Sequence, residues 1–291
     1  FVFGVEYPEV PELLERTIGY PQQDCFDSVM VRVKVGGNWL YLNGSDQYAM
    51  PGAFASNGEP ILDLNTGTFA AAKTSSALDN RRRIDITMQL DAGGDAVIER
   101  QITYYGIEQA GFNKAYSEMT PEDRRRFLQN ETAAIAQSAV MQESHIDASA
   151  YPGINRLKAK VTGYAVRDRK YLYFTLPAGG VRQLIAIDNE RRDNPYLLAD
   201  SVDLTLNVNI LLPAECRGFV MLPTGFDWQS PVNAGGVSYS LQPQGTKQLN
   251  ASLRINLKPG LYRQDKFKDL VFVNDRLARP AAWLVLLELA E

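Results

Sequence analysis

Short runs in which apolar and polar residues alternate recur along this chain, and they constrain its fold more than any other feature. Residues 83–90 alternate, a Gly-containing turn follows, and residues 96–105 alternate again. A third run, 202–212, carries an apolar residue at nearly every second position. Alternation with a period of two is typical of strands that bury one face. The sequence therefore predicts a mainly β protein.

Further strands are predicted where short apolar runs are bounded by Gly, Pro or Asn. They cover residues 29–35, 39–42, 157–166, 171–176, 218–222, 237–241, 249–257 and 283–289. Many short strands at this spacing favour antiparallel sandwiches over a parallel α/β sheet. We therefore predict an α+β fold that is mainly β and built from antiparallel β-sandwich domains.

Two isolated helices are predicted among these strands. Thr120 can act as an N-cap, Pro121 suits the first helical position, and Asp123 supplies an acid in the first turn. These signals predict a helix over about 121–143. A second helical segment is predicted over about 263–278.

The chain has 291 residues, which is enough for about two domains of ordinary size. Shifts in composition divide it into three units, 1–76, 77–190 and 191–291. The first unit contains a loop-rich stretch, and each of the other two contains one of the predicted helices.

The charge balance indicates which partners to expect. The net charge is −4 and the pI about 5.3, which argues against a nucleic-acid partner. Arginine clusters at 81–83, 124–126 and 191–192 have acidic neighbours. We interpret them as solvated surface, with an anionic partner as the alternative. No apolar run is long enough for an integral membrane segment.

Residues that could carry chemistry are few. The chain has one histidine, His145, and two cysteines, Cys25 and Cys216, with no Cys-x-x-Cys pair. We interpret His145 as a surface residue near a helix end and both cysteines as free thiols in apolar surroundings. Because metal-binding spacings and Gly-rich nucleotide motifs are missing, no metal site and no cofactor are predicted.

One stretch resembles a known family. The sequences FDSVMVRV at 26–33 and YLNGSDQYA at 41–49 are similar to the second half of a bacterial transglutaminase-like core. In that family a histidine and an aspartate occupy the positions of Ser28 and Asn43, and Asp46 matches a second acid. The cysteine nucleophile lies upstream, so Cys25 does not match it. The resemblance therefore implies a degenerate site with no catalytic residue in this chain.

The same resemblance implies an organisation and a location. Residues 1–76 would be the end of the transglutaminase-like core, and β-rich C-terminal domains would follow. The chain would then be a non-catalytic scaffold or interaction module of an exported protein, in the periplasm or outside the cell.

Two other functions are kept as alternatives. In one, the chain completes a cysteine peptidase or transglutaminase whose nucleophile lies on an upstream segment. In the other, it is a carbohydrate-binding β-sandwich. Partners are expected to be proteins or glycans. Phe226 and Trp228, in a loop predicted over 223–231, are the candidate binding residues, unless that loop folds back onto a sheet.

Overall fold

The structure is a computed structural model. It describes residues 2–5, 26–42, 46–54, 60–73, 75–178, 194–198, 201–230, 235–258 and 260–290. Strands make up 50% and helices 21%, and the sheets are largely antiparallel. The predicted class, a mainly β protein of the α+β type, is confirmed.

The described strands and helices are numbered in chain order. The strands are β1 (Val2–Val5), β2 (Phe26–Val35), β3 (Asn38–Leu42), β4 (Pro60–Asp63), β5 (Thr68–Ala71), β6 (Arg81–Leu90), β7 (Ala96–Tyr105), β8 (Ala139–Asp147), β9 (Gly153–Val161), β10 (Val166–Asp168), β11 (Tyr171–Thr175), β12 (Tyr196–Leu198), β13 (Val202–Leu211), β14 (Cys216–Met221), β15 (Phe226–Gln229), β16 (Gly235–Gln244), β17 (Gln248–Leu257), β18 (Gly260–Tyr262) and β19 (Leu284–Leu289). The helices are α1 (Gly106–Glu118), α2 (Pro121–Ala133) and α3 (Gln264–Ala278).

The strands form four sheets. A five-stranded sheet has the order β3-β2-β1-β4-β5, and an eight-stranded sheet has the order β15-β16-β17-β13-β6-β7-β9-β8. A four-stranded sheet, β10-β11-β19-β14, and a two-stranded sheet, β12-β18, complete the described strands. The strands predicted over 29–35 and 39–42 pair as a hairpin, and Gly36 and Gly37 form its turn with positive φ angles of 56° and 89°.

The eight-stranded sheet joins the second and third predicted units. Its two central strands, β6 and β13, lie parallel, with Asn207 opposite Asp85. Every other described pair in this sheet is antiparallel. The described parts of 77–190 and 191–291 therefore share one sheet and one hydrophobic core.

The core lies on one face of the eight-stranded sheet. The alternation of β6 is confirmed, since Ile84, Ile86 and Met88 are buried. The four-stranded sheet and α3 cover this face, and their apolar side chains join the same cluster. Trp283 is 1% exposed, and its indole N–H donates to the Leu277 carbonyl oxygen at 2.6 Å. Close packing between two layers is what the alternating strands require.

The helices differ from the prediction in number and length. Three α-helices are described rather than two, and α3 matches the segment predicted over 263–278. The helix predicted over 121–143 is wrong beyond Ala133, because residues 139–147 form β8 and pair with β9. Helix α1 was not predicted. Its N-cap, Tyr105, supplies no side-chain hydrogen bond, so the usual local start signal is missing.

Within the described residues, no helix combines the length and the apolar character that crossing a membrane requires.

Candidate functional site

Strand β8 lies at one end of the eight-stranded sheet. It pairs with β9, and no described strand pairs with its other side. Its residues 140–145 are all exposed, including Val140 at 67% and Met141 at 42%. An edge strand of this length presents unpaired backbone N–H and C=O groups to any chain that lies beside it.

Helix α2 lies beside this edge, on the core side of the sheet. It begins where the sequence predicted, because the Thr120 side chain accepts from the backbone N–H of Asp123 at 3.2 Å and Pro121 occupies the first turn. Thr132 is the one buried residue of this helix. The apolar contacts of α2 come from half-buried side chains such as Phe127, whose ring meets Tyr116 edge-on at 5.8 Å.

A polar cluster also anchors α2. Arg100 points to the core side of β7, is 4% exposed, and donates to Oε2 of Glu131 at 2.6 Å. Asn155 of β9 donates to the same oxygen at 2.9 Å. Two strands thus hold one carboxylate of the helix, and this fixes the spacing between α2 and the sheet edge.

A cavity of about 420 Å³ lies between α2 and β8. Its lining residues from α2 recur at helical spacing, and the first residues of β8 close the other side. The lining consists of Arg125, Leu128, Gln129, Thr132, Ala133, Gln137, Ala139, Val140 and Met141. We call this cavity, together with the free edge of β8, the edge groove.

The register of β8 relates the cavity to the free edge. Met141 lies opposite Ala159, which is buried on the core side, whereas Val140 lies opposite Lys160. The register therefore places the Met141 side chain on the α2 side of β8 and the Val140 side chain on the opposite side, although both residues border the cavity. The register of β8 shifts between Met141 and Glu143, so this assignment holds as far as Met141, where a strand added beside β8 would place a side chain next to the cavity.

The rim of the edge groove is basic at one point. Arg125 has 66% of its side chain exposed and donates to both carboxylate oxygens of Glu122, at 2.9 and 3.0 Å. Arg126 is equally exposed and contacts the same glutamate at 3.2 Å, but it does not line the cavity. Both arginines therefore pair with Glu122, but only Arg125 lines the cavity.

The residues that match the transglutaminase-like motif are only partly described. Ser28 lies in β2 with its backbone opposite Gly4, and its side chain lies outside the described residues, as do Asn43 and Cys25. Asp46 is half-buried, and its carboxylate accepts from the backbone N–H of Tyr48 at 2.9 Å, which stabilises a local turn. The degenerate catalytic site stays a prediction.

The aromatic candidates lie in an edge strand rather than in a loop. Phe226 and Trp228 belong to β15, are half-buried, and pack against the main core. The ring of Phe226 meets Tyr239 edge-on at 6.1 Å, and the Arg276 guanidinium lies 4.6 Å from its centre. This placement agrees with the alternative in which the segment folds back onto a sheet.

The remaining candidates lie apart from one another. His145 is an exposed residue of β8, not of a helix end. Cys216 is 6% exposed, and desolvation raises the pKa of its thiol. Among the described residues, no group of three or more His, Cys, Asp and Glu side chains could hold a metal ion.

The sequence reasoning missed the edge groove because it assigned residues 139–143 to a helix. The signal that could have revealed it is weak. Residues 139–147 combine two exposed apolar residues with charged ones and show no burial pattern. A groove between a helix and a strand is created by pairing with β9, which local sequence does not encode.

Comparisons with known proteins assign no family. No protein-family model matches the chain, and no curated protein matches it. A solved structure from Parabacteroides distasonis, described as a "putative protease", is similar with 12% sequence identity and a TM-score of 0.45. The similarity covers 91% of this chain and 36% of that chain, so this chain spans about a third of its length.

Proposed function

We propose that this chain is a non-catalytic interaction module that binds an extended segment of a partner protein in the edge groove. The observation that supports this is the free edge of β8 beside a cavity under α2. In strand addition, backbone hydrogen bonds supply affinity, and pockets for alternate side chains supply specificity. The edge groove offers both elements side by side.

The lining suggests the chemistry of the partner segment. Leu128 and Ala133 of α2 and Met141 of β8 give the cavity apolar surface on both sides, so a large apolar side chain suits the position between them. Arg125 and Arg126 share one carboxylate, that of Glu122, so the rim keeps a net positive charge that favours a carboxylate close by in the partner. The proposed ligand is therefore an extended segment with an apolar residue flanked by an acidic one.

The wider context of this proposal comes from the sequence. The motif at 26–33 and 41–49 supports placing the module in an exported, transglutaminase-like bacterial protein, in the periplasm or outside the cell. In that setting the module would bring a partner protein to its parent rather than carry out a reaction itself.

Matched variants test the proposal. The chain is used to select from random linear peptides displayed on phage, and the enriched peptides are synthesised for fluorescence-polarisation titration. Ala133 is exposed and lines the cavity, so Ala133→Trp places an indole ring in it. Ala134 is also exposed but does not line the cavity, so Ala134→Trp is the matched control. We expect Ala133→Trp to weaken binding by about tenfold or more, as the loss of one buried apolar anchor does, and Ala134→Trp to leave it unchanged.

Two charge-reversal variants form the second part of the experiment. Arg125→Glu is expected to weaken the selected peptides, whereas Arg126→Glu, with the same exposure, is the control. The proposal fails if no peptide is enriched, or if both tryptophan variants bind the enriched peptides as well as the unchanged chain does.

A further inference from the structure

The outer face of the eight-stranded sheet is polar and lies opposite the core. Helix α3 and the four-stranded sheet pack on the core face, as does α2 through Glu131. On the outer face of β6, β13, β16 and β17, several successive outward-facing residues carry an amide, hydroxyl or carboxylate group. These residues include Asp85, Thr87, Asn207, Asn209, Ser240, Gln242, Asn250 and Ser252.

A cavity of about 330 Å³ lies above these side chains, and we call it the polar cleft. Its floor consists of two rows across the strands. In one row Asn207 lies between Asp85 and Ser252, and in the other Asn209 lies between Thr87 and Asn250. Neighbouring strands are about 4.8 Å apart, so hydrogen-bonding groups repeat at that interval along each row.

Hydrogen bonds hold the first row in a defined arrangement. Ser252 donates to Oδ1 of Asn207 at 3.3 Å, and Nδ2 of Asn207 donates to Asp85 at 2.9 Å. The guanidinium of Arg83 donates to both carboxylate oxygens of Asp85, at 2.8 and 3.0 Å. The negative charge of Asp85 is thus neutralised by Arg83, and this row offers a charged ligand no unpaired opposite charge.

The second row retains hydrogen-bonding capacity. Oδ1 of Asn209 is buried without a hydrogen-bond partner. Asn250 accepts from Gln248 at 2.9 Å through its oxygen, which leaves its N–H₂ group for another acceptor. Gln242 is exposed at the rim. Because this oxygen is buried, a ligand hydroxyl would meet the N–H₂ groups of these amides rather than the oxygen of Asn209.

We infer that the polar cleft binds a neutral, polyhydroxylated ligand of the oligosaccharide class. Each sugar hydroxyl both donates and accepts, which matches a floor of amides and hydroxyls, and the compensated charge of Asp85 disfavours an ionic ligand. Among the described residues no aromatic ring lines the cleft, so stacking is not part of the proposed binding and the affinity is expected to be millimolar. This site is separate from the edge groove.

Side-chain amide NMR of the ¹⁵N-labelled full chain tests the inference. The probes are maltohexaose, cellohexaose, xylohexaose and chitohexaose, each titrated separately. With at least one of them, the N–H₂ signals of Asn209 and Asn250 are expected to shift in a saturable manner. Asn209→Ala and Gln242→Ala should each weaken that binding by about three- to tenfold, as the loss of one hydrogen bond does.

Two controls separate the site from general effects. Gln89→Ala changes an exposed amide on the same face of β6 outside the lining, and it should leave the affinity unchanged. Ala133→Trp should also have no effect, which makes the test independent of the edge groove. The inference is overturned if none of the four hexasaccharides shifts these signals. It is equally overturned if both alanine variants of the cleft bind as the unchanged chain does.

Discussion

The ion pair between Arg100 and Glu131 fixes α2 over the sheet, and the structure predicts an asymmetric cost for breaking it. Arg100 is 4% exposed and the side chain of Glu131 is 24% exposed. Glu131→Leu leaves a buried guanidinium without a counter-charge, and such losses cost about 3–5 kcal/mol. We expect about 3 kcal/mol, because water reaches the carboxylate side of the cluster.

The opposite truncation should cost less. Arg100→Met leaves a carboxylate that is partly hydrated and still accepts from Asn155 at 2.9 Å. We expect this variant to lose about 1–2 kcal/mol of the free energy of unfolding. The double variant removes both charges, which is often neutral, but it leaves the buried N–H₂ group of Asn155 without this acceptor, so it should lose about 1–2 kcal/mol.

The assay is urea unfolding of the four chains, followed by tryptophan fluorescence and circular dichroism. The two single losses sum to about 4–5 kcal/mol, so a coupling energy of about 3 kcal/mol is expected. Amide hydrogen exchange over 121–133 reports whether α2 opens locally before the sheet unfolds. Additive losses, or unchanged exchange over 121–133 in Glu131→Leu, would refute the role assigned to the pair.

Three further predictions concern α1, the core and a thiol. Gly106 has φ +59°, and a Cβ there would lie 2.3 Å from Oδ1 of Asn80, so Gly106→Ala should cost about 2–3 kcal/mol. Asn80→Ala, which removes the acceptor for the Ile107 N–H at 2.7 Å, should cost about 1 kcal/mol; urea unfolding measures both. Burial raises the pKa of Tyr239, so stability should fall as pH rises above about 10, where the unfolded chain loses that proton, and Tyr239→Phe should lessen the fall in thermal melts. Cys216 should react with iodoacetamide in urea but not in buffer, as read by peptide mass spectrometry.

Local patterns predicted the parts of the fold that local physics determines. Alternation at 83–90 and 96–105 predicted β6 and β7, because a strand that buries one face has an apolar residue at every second position. The cap at Thr120 predicted the start of α2 to the residue, because the bonds that satisfy that helix end lie within four positions.

Features that depend on distant residues were not predictable in this way. The first amides of α1 donate to Asn80 and to the hydroxyl of Tyr151, which is 45 residues from Gly106. No residue next to the helix signals its start. Likewise, apolar residues at 134–136 and 139–141 continue the helical period, and only pairing with β9 makes the second group part of a strand.

The polar cleft illustrates the same limit for function. The sequence showed Asn207 and Asn209 as polar residues of an alternating strand, and such residues usually face solvent. Their neighbours Asp85 and Asn250 come from strands far away in sequence, so the set is assembled only by the order of strands in the sheet.

The parallel pairing of β6 with β13 has a consequence for how this protein is synthesised. Residues 81–90 leave the ribosome before residues 202–211 exist, and translation of the intervening 112 or so residues takes roughly 6–22 s at ordinary rates. During that interval one side of β6 has no partner, although β7 can already pair with the other side. Nascent chains should therefore expose a hydrophobic strand edge for seconds, which makes this protein a candidate client for chaperones that bind such edges.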